Sequence, residues 1–328
     1  MAYVSFMVKW LIIITPVFLL IPVTITAQAM DNSVSFRYVP GNKYFRINYE
    51  NDFFTASDRD YTQGILVEKV HPGLNRFPLM RVLWHPGNCE LKYGLAIEHN
   101  AYTPNQIDKY AVQYGDRPYA GALLFKTFLM AVNYERKKII SVSLSTGLLG
   151  PGAGGEQMQR TIHHWIRYTQ PEGWHNQIQN DLILNYQLNI EREIYQYGNY
   201  FFVSTYGSAK LGTLSDKLSA GFTVGLGNYL SPFTQRILSK RPFQWHLYCQ
   251  LLGNLVGYDA TLQGGVFNHS SIYTIAGSEL NRLTIQNKFG IVLIFKSVYL
   301  EYYRTGTTEE FKTSLYHRTG GLQIGFGF

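Results

Sequence analysis

Four polar clusters carry the side chains that hydrolytic chemistry would need. They are Glu50-Asn51-Asp52-Phe53, Asp58-Arg59-Asp60-Tyr61-Thr62-Gln63-Gly64, Gly115-Asp116-Arg117-Pro118-Tyr119-Ala120-Gly121, and the stretch from Gly150 to Trp174 with His163 and His164. A carboxylate such as Asp52 beside Asn51 can hold a hard cation through oxygen ligands. His163 can act as a general base, because an imidazole with its ordinary pKa of about 6.5 suits proton transfer near neutral pH. Each cluster also has a plainer reading. Short polar side chains satisfy local backbone groups in turns, Arg117-Pro118 suits a turn entering a strand, the Gly-rich stretch makes a tight or flexible loop, and adjacent histidines often sit on a surface. A serine nucleophile fits less well, since there is no Gly-x-Ser-x-Gly elbow and no serine stands out beside the histidines.

The elements that must position these clusters read as strands. Val142 and Leu144 alternate with Ser141, Ser143 and Ser145; Phe222, Val224 and Leu226 alternate with Gly221, Thr223, Gly225 and Gly227; Leu322, Ile324, Phe326 and Phe328 alternate with small or polar neighbours. Such period-two faces suit a wall with lipid on one side and a lumen on the other, although a two-sheet sandwich would alternate in the same way. The terminal Phe328 favours the barrel, because the last strand then resembles the aromatic end of bacterial outer-membrane barrels. Twelve strands are predicted, over 43–52, 60–71, 90–101, 118–134, 137–148, 178–194, 198–212, 216–228, 243–257, 280–294, 296–308 and 315–328. An even count puts both termini on the periplasmic side. Connections 53–59, 102–117, 149–177, 213–215, 258–279 and 309–314 are then extracellular, and all four polar clusters fall at that rim. The connections near 72–89, 135–136, 195–197, 229–242 and 295 are periplasmic. Gln157 to Ile166 is expected to form a short helix.

The start of the chain reads as an export signal: Lys9, an apolar run from Trp10 to about Ile25 interrupted by Pro16 and Pro22, then Ala27-Gln28-Ala29 as a small-x-small cleavage site. The expected mature protein begins near Met30, with 1–29 removed. No later stretch approaches the ~18 consecutive apolar residues of a membrane helix. The chain has 25 Tyr, 20 Phe and 30 Gly, a composition of strands, turns and aromatic girdles. Its formal charge of +7 favours an anionic partner, and phosphorylated lipid head groups fit an exported protein better than nucleic acid does. Cys89 and Cys249 could pair in an oxidising compartment, but one pair defines no framework, and both are expected to be structural or free.

Taken together, the motifs resemble those of the LpxR lipid A deacylase family. The resemblance rests on Asn51-Asp52-x-Phe54, Asp60-Tyr61-Thr62-x-Gly64, Asp116-Arg117-Pro118-Tyr119-Ala120-Gly121, Gly150-Pro151 with Gly154-Gly155-Glu156-Gln157 and His163, and Gly173-Trp174-x-x-Gln177. It continues through Asp259-x-Thr261-Leu262-x-Gly264-Gly265 with Phe267, and from Glu310-Phe311 to Phe328. The resemblance implies an all-β fold, a twelve-stranded antiparallel transmembrane β-barrel of the outer membrane. It also implies a calcium-dependent esterase that removes the 3′-linked acyloxyacyl group of lipid A, with lipopolysaccharide as substrate and outer-membrane lipid as surroundings. On this pattern His163 is the base that activates water, Asn51 and Asp52 organise Ca²⁺ and the site, and Thr62 sits beside them. Lys109 is the nearest counterpart of the family's active-site lysine.

Two other classes compete. A non-catalytic barrel, structural or binding, would show no convergence of His163 with Asp52. A porin would need a wide lumen lined with charge, whereas the inward faces read as rich in Gly and Ser. If the strand register of Phe45, Ile47 and Tyr49 continues, Asn51 lies on the lipid side and Asp52 on the lumen side, so that a site at the rim would open sideways to lipid.

Overall fold

The computed structural model describes residues 39, 41–52, 61–234, 243–314 and 317–328. The expected leader 1–29 lies outside the described residues, as do Phe53, Phe54, Asp58, Arg59 and Asp60.

Twelve antiparallel strands close into one barrel, each paired with its neighbour in sequence and the first with the last. They are β1 (Tyr44–Asn51), β2 (Gln63–Val70), β3 (Glu90–Tyr102), β4 (Ala120–Asn133), β5 (Lys138–Leu149), β6 (Asp181–Tyr197), β7 (Phe201–Gly212), β8 (Ser215–Asn228), β9 (Phe243–Asp259), β10 (Leu283–Phe295), β11 (Val298–Thr307) and β12 (His317–Gly327). Closure pairs Tyr44 with Gly327 and Asn51 with Gly320. The predicted count and order hold, with ends shifted by a few residues. The predicted helix is present as α1 (Gly155–Ile166), and a single turn, α2 (Ala260–Gln263), follows β9. No helix among the described residues is long and apolar enough to cross a membrane.

Alternation along each strand sorts side chains between lumen and exterior. On β9 Gln244, His246, Tyr248, Gln250, Leu252 and Asn254 are buried, while Phe243, Trp245, Leu247 and Leu255 are exposed. The outward-facing Cys249 and the distant Cys89 are free thiols, so they do not pair.

The lumen departs from the expectation of a Gly and Ser lining, because charged and aromatic groups project into it and pair with one another around a remaining cavity. Arg46 pairs with Glu68 at 2.6 Å. Tyr248, Tyr299 and Gln323 all donate to Glu301, at 2.5, 2.8 and 3.1 Å. The Lys288 ammonium lies 3.8 Å from the centre of the Tyr303 ring, and Lys126 pairs with Glu98. Period-two reading sees polarity but not which side chains on neighbouring strands pair along the bore.

The rim opposite the termini is clasped as well. Arg117 pairs with Glu310, donates to Thr261 at 2.7 Å and stacks its guanidinium 4.3 Å from the Tyr102 ring. Asp259 in turn caps α2 through the Thr261 N–H at 2.9 Å. The Asp116-Arg117, Asp259-x-Thr261 and Glu310 motifs thus tie three rim loops together. A barrel whose rim is clasped in this way is expected to be electrically silent: porin-like conductance steps from the wild-type protein in a planar bilayer would restore the porin reading.

Two connections fold back onto the outside of the wall. At the end bearing the termini, residues 72–82 form two 3₁₀ turns, and Met80 with Leu83, just past the second turn, is buried against Leu129, Ala131, Ile140 and Val142. Phe77 packs on the outward Phe125, ring centres 6.0 Å apart, and the Trp84 N–H donates to the Tyr186 hydroxyl at 2.9 Å. This strap covers the lower exterior of β3 to β6. At the opposite end, α1 covers the same face.

Candidate active site

The site is built on outward-facing positions at the ends of β1 to β4, where lipid contact would be expected and polar groups stand instead. Asn51 continues the outward row of Tyr49, to whose hydroxyl its amide lies 3.1 Å away, and Asp52, which follows it, is buried. Gln63 and His99 are buried at outward positions of β2 and β3, and Ala101 and Gly121 beside them are also covered. The β5–β6 connection provides that cover. The His99 ring nitrogen Nε2 lies 3.1 Å from the Ala153 carbonyl. A Cβ added at Gly121 would meet the Gly155 nitrogen at 3.3 Å and the Gly150 carbonyl oxygen at 3.4 Å, so the first turn of α1 rests on the bare backbone of β4. Gly150 and Gly154 adopt φ of +94° and +78°, conformations open to glycine that let the chain leave β5 and start the helix at once.

Helical spacing then places Gly155, Gln159 and His163 on the one face of α1 that is buried. Gln159 is fully buried; its Nε2 donates to Thr62 Oγ1 at 3.3 Å and its Oε1 accepts from the Trp174 indole at 2.6 Å. Thr62 shares a 2.8 Å hydrogen bond with Thr103, and its carbonyl accepts from the Asn51 amide at 2.6 Å. A continuous set of bonds therefore runs from β1 through Asn51 and Thr62 to the helix, one turn before His163.

The His163 ring is fixed by the turn that ends α1. Arg167 takes a left-handed φ of 55°, and the Tyr168 N–H returns to the His163 carbonyl at 2.8 Å. The Thr169 carbonyl comes to 2.5 Å from Nδ1. A carbonyl can only accept, so Nδ1 carries the hydrogen and Nε2 of the neutral ring keeps its lone pair. Tyr168 presents its ring edge-on, 5.2 Å from the imidazole centre. His164 is exposed.

The structure thus brings Asn51, Thr62 and the helix face bearing His163 together, with Asp52 next to Asn51 in the chain. Lys109 stands apart, exposed in the β3–β4 loop; its N–H meets the Gln106 carbonyl at 3.4 Å, and its own carbonyl lies beneath Gly173. Among the described residues no three His, Cys, Asp or Glu side chains gather at metal-binding range. Asp52 and Asn51 nonetheless offer the hard oxygen donors that Ca²⁺ prefers, as an anchor that leaves further oxygens to come from backbone, water or substrate.

Sequence reading missed Gln159 and His99. Gln159 could have been found from its i, i+4 spacing to His163. His99 had no such signal, since only the covering loop shows that it is buried.

Trp174 supports the cleft from behind. It is fully buried, packs on Tyr119 with ring centres 4.9 Å apart, and would lie 2.7 Å from a Cβ at Gly155. Burial pushes the Tyr119 phenol up, which keeps it a donor to the Ile107 carbonyl at 3.2 Å. Because neither ring has room to yield, Gly155→Ala is expected to lift α1 from the wall. Turnover should fall about 10²-fold, the scale of a 1 Å misplacement, while the heat-modifiable gel migration of a folded barrel persists.

The family profile described as "Outer membrane protein LpxR" matches residues 12–328. The chain belongs to the LpxR family. It is also similar in structure to LpxR from Salmonella typhimurium, with a TM-score of 0.69 at 20% identity, covering 87% of this chain and 100% of that one. That likeness shows a shared LpxR barrel fold. The beta domain of the Bordetella autotransporter BrkA aligns over 87% of this chain and 98% of its own, with a TM-score of 0.44 and 9% identity. No curated protein matches the sequence. Membership in LpxR, an outer-membrane family, agrees with the closed twelve-stranded barrel.

Proposed function

We propose that this LpxR-family barrel is an ester hydrolase of the outer leaflet, which removes the 3′-linked acyloxyacyl group of lipid A. The observation that supports it best is the position of the cleft. Asn51, Gln63, His99 and the Gln159/His163 face of α1 are polar groups gathered between the helix and the outer, lipid-facing side of the wall rather than in the lumen. Polar groups on such a face are costly without partners, and here α1 and its loop supply them, building a polar seam beside the lipid in which Nε2 of His163 keeps its lone pair.

In this reading His163 Nε2 takes a proton from a water molecule, which attacks the ester carbonyl carbon. The Nδ1–H bond to the Thr169 carbonyl steadies the imidazolium while it lasts. Collapse breaks the bond to the sugar oxygen, and the proton passes from His163 to that oxygen, leaving a 3′ hydroxyl and a free acyloxyacyl acid. Asp52 and Asn51 would hold Ca²⁺, which when bound supplies positive charge to the oxyanion of the tetrahedral intermediate. Thr62 and Gln159 hold the helix and the β1 end in register.

Mass spectrometry of lipid A from cells with and without the protein tests the class. Loss of the 3′ acyl groups only in cells that carry it is the expected result; identical lipid A would leave a non-catalytic barrel.

A further inference from the structure

The helix that carries His163 has two flanks that the cleft does not use, and they differ in character. At 100° per residue, Met158, Ile162 and Trp165 fall on one side of the buried Gly155-Gln159-His163 face and Glu156, Arg160, Gln157 and His164 on the other, while Ile166 continues the line of the buried face past its end. The apolar flank is open at its end, where Trp165 is 77% and the adjoining Ile166 64% exposed. Glu156 and Arg160 on the charged flank pair at 3.0 Å.

The wall beside the helix supplies a continuous apolar surface. Leu123, Leu148 and Leu182 are outward, exposed, and direct cross-strand partners on β4, β5 and β6. Leu123 lies one pleat from Gly121, on which α1 rests, and a Cβ at Gly152 would touch Leu148 at 3.7 Å. The strap takes over one pleat further along, where Phe77 meets Phe125. An exposed apolar row therefore runs between the two covers and joins the lipid-facing surface of the barrel.

We propose that α1 is an interfacial helix whose apolar flank inserts among the acyl chains of the outer leaflet, with the charged flank in the head-group layer. A helix on a lipid-facing wall with one apolar and one charged flank is stable only in that orientation. The face between the flanks, with His163, is then held at the depth where head group joins acyl chain. That is the depth of an ester bond. The last step rests on the function proposed above; insertion of the helix does not.

Depth-dependent fluorescence quenching tests insertion without any need for activity. The full chain with Trp84→Phe and Trp245→Phe is reconstituted in phosphatidylcholine vesicles and compared with the same protein carrying Trp165→Phe, so that the difference reports Trp165 alone. Lipids brominated near the carbonyl end of the chain are expected to quench that component about twofold, and more than lipids brominated near the methyl end. Absence of quenching by either lipid overturns the proposal. A second arm uses Trp165→Glu with Ile166→Glu: the apparent KM for lipid A in vesicles should rise ~10-fold or more with kcat retained, as expected when two apolar side chains no longer enter lipid. An unchanged KM overturns the proposal too. Should the wild type hydrolyse no lipid A, the hydrolase reading fails while quenching still decides insertion.

Discussion

His163→Ala is expected to lower turnover on lipid A by about 10²–10⁴-fold, the range that a positioned general base contributes, while His164→Ala keeps most of it. The two residues share a helix, a charge type and a neighbourhood, yet only His163 is buried on the wall-facing side with Nδ1 tied to the Thr169 carbonyl. Any effect of removing an imidazole from this loop in general would strike both variants alike. A deficit confined to His163→Ala therefore reads out the oriented Nε2. If the two variants exchanged behaviour, the base would be the exposed ring and the cleft would lose its reason; if neither lost activity, histidine would have no part in the chemistry. Steady-state rates in detergent with calcium, alongside heat-modifiable migration as a folding control, decide between these outcomes.

Asp52→Ala is expected to cost at least ~10²-fold in turnover, comparable with the loss of one oxyanion-stabilising group, and to remove the response to calcium. The barrel should survive the change. Asp52 follows the last residue of β1, so its side chain contributes nothing to the strand ladder that pairs Tyr44–Asn51 with both neighbours. The diagnostic comparison is with a chelator: wild-type activity should fall towards that of the variant when calcium is withdrawn, and the variant should fall no further. Wild-type activity undiminished by chelator would remove calcium from the mechanism and leave Asp52 a structural acid at the rim.

The strands were legible because each carries its own period of two, which needs no knowledge of neighbours. β8 and β10 both appear where alternation put them, at Ser215–Asn228 and Leu283–Phe295. The position of α1 was legible for a related reason, in that Gly154-Gly155 frees the backbone just before a run of helix formers. What the sequence could not convey is which outward residues are covered. His99 and Gln63 sit in outward register like any lipid-facing residue, and only a loop folding back across the wall turns them into lining of a cleft. The charged pairs of the lumen were hidden for a different reason: Arg46, Glu68, Glu98 and Lys126 alternate correctly, but which of them meet depends on the register between neighbouring strands, which alternation does not fix.

The strap formed by residues 72–89 has a consequence for the bilayer itself. On β9 the outward residues from Phe243 to Leu255 are exposed apart from the half-buried Leu251, but on β3 Ile97 alone among them is exposed, with the strap's side chains packed below it and the helix seated above. The barrel therefore meets the membrane with a tall hydrophobic belt on one side and a short one on the other. A membrane answers such mismatch by thinning locally, and a protein answers it by tilting. Either response concentrates the distortion on the β3–β5 side, so annular lipids there are the ones drawn out of ordinary packing, beside the cleft that would have to extract an ester from them.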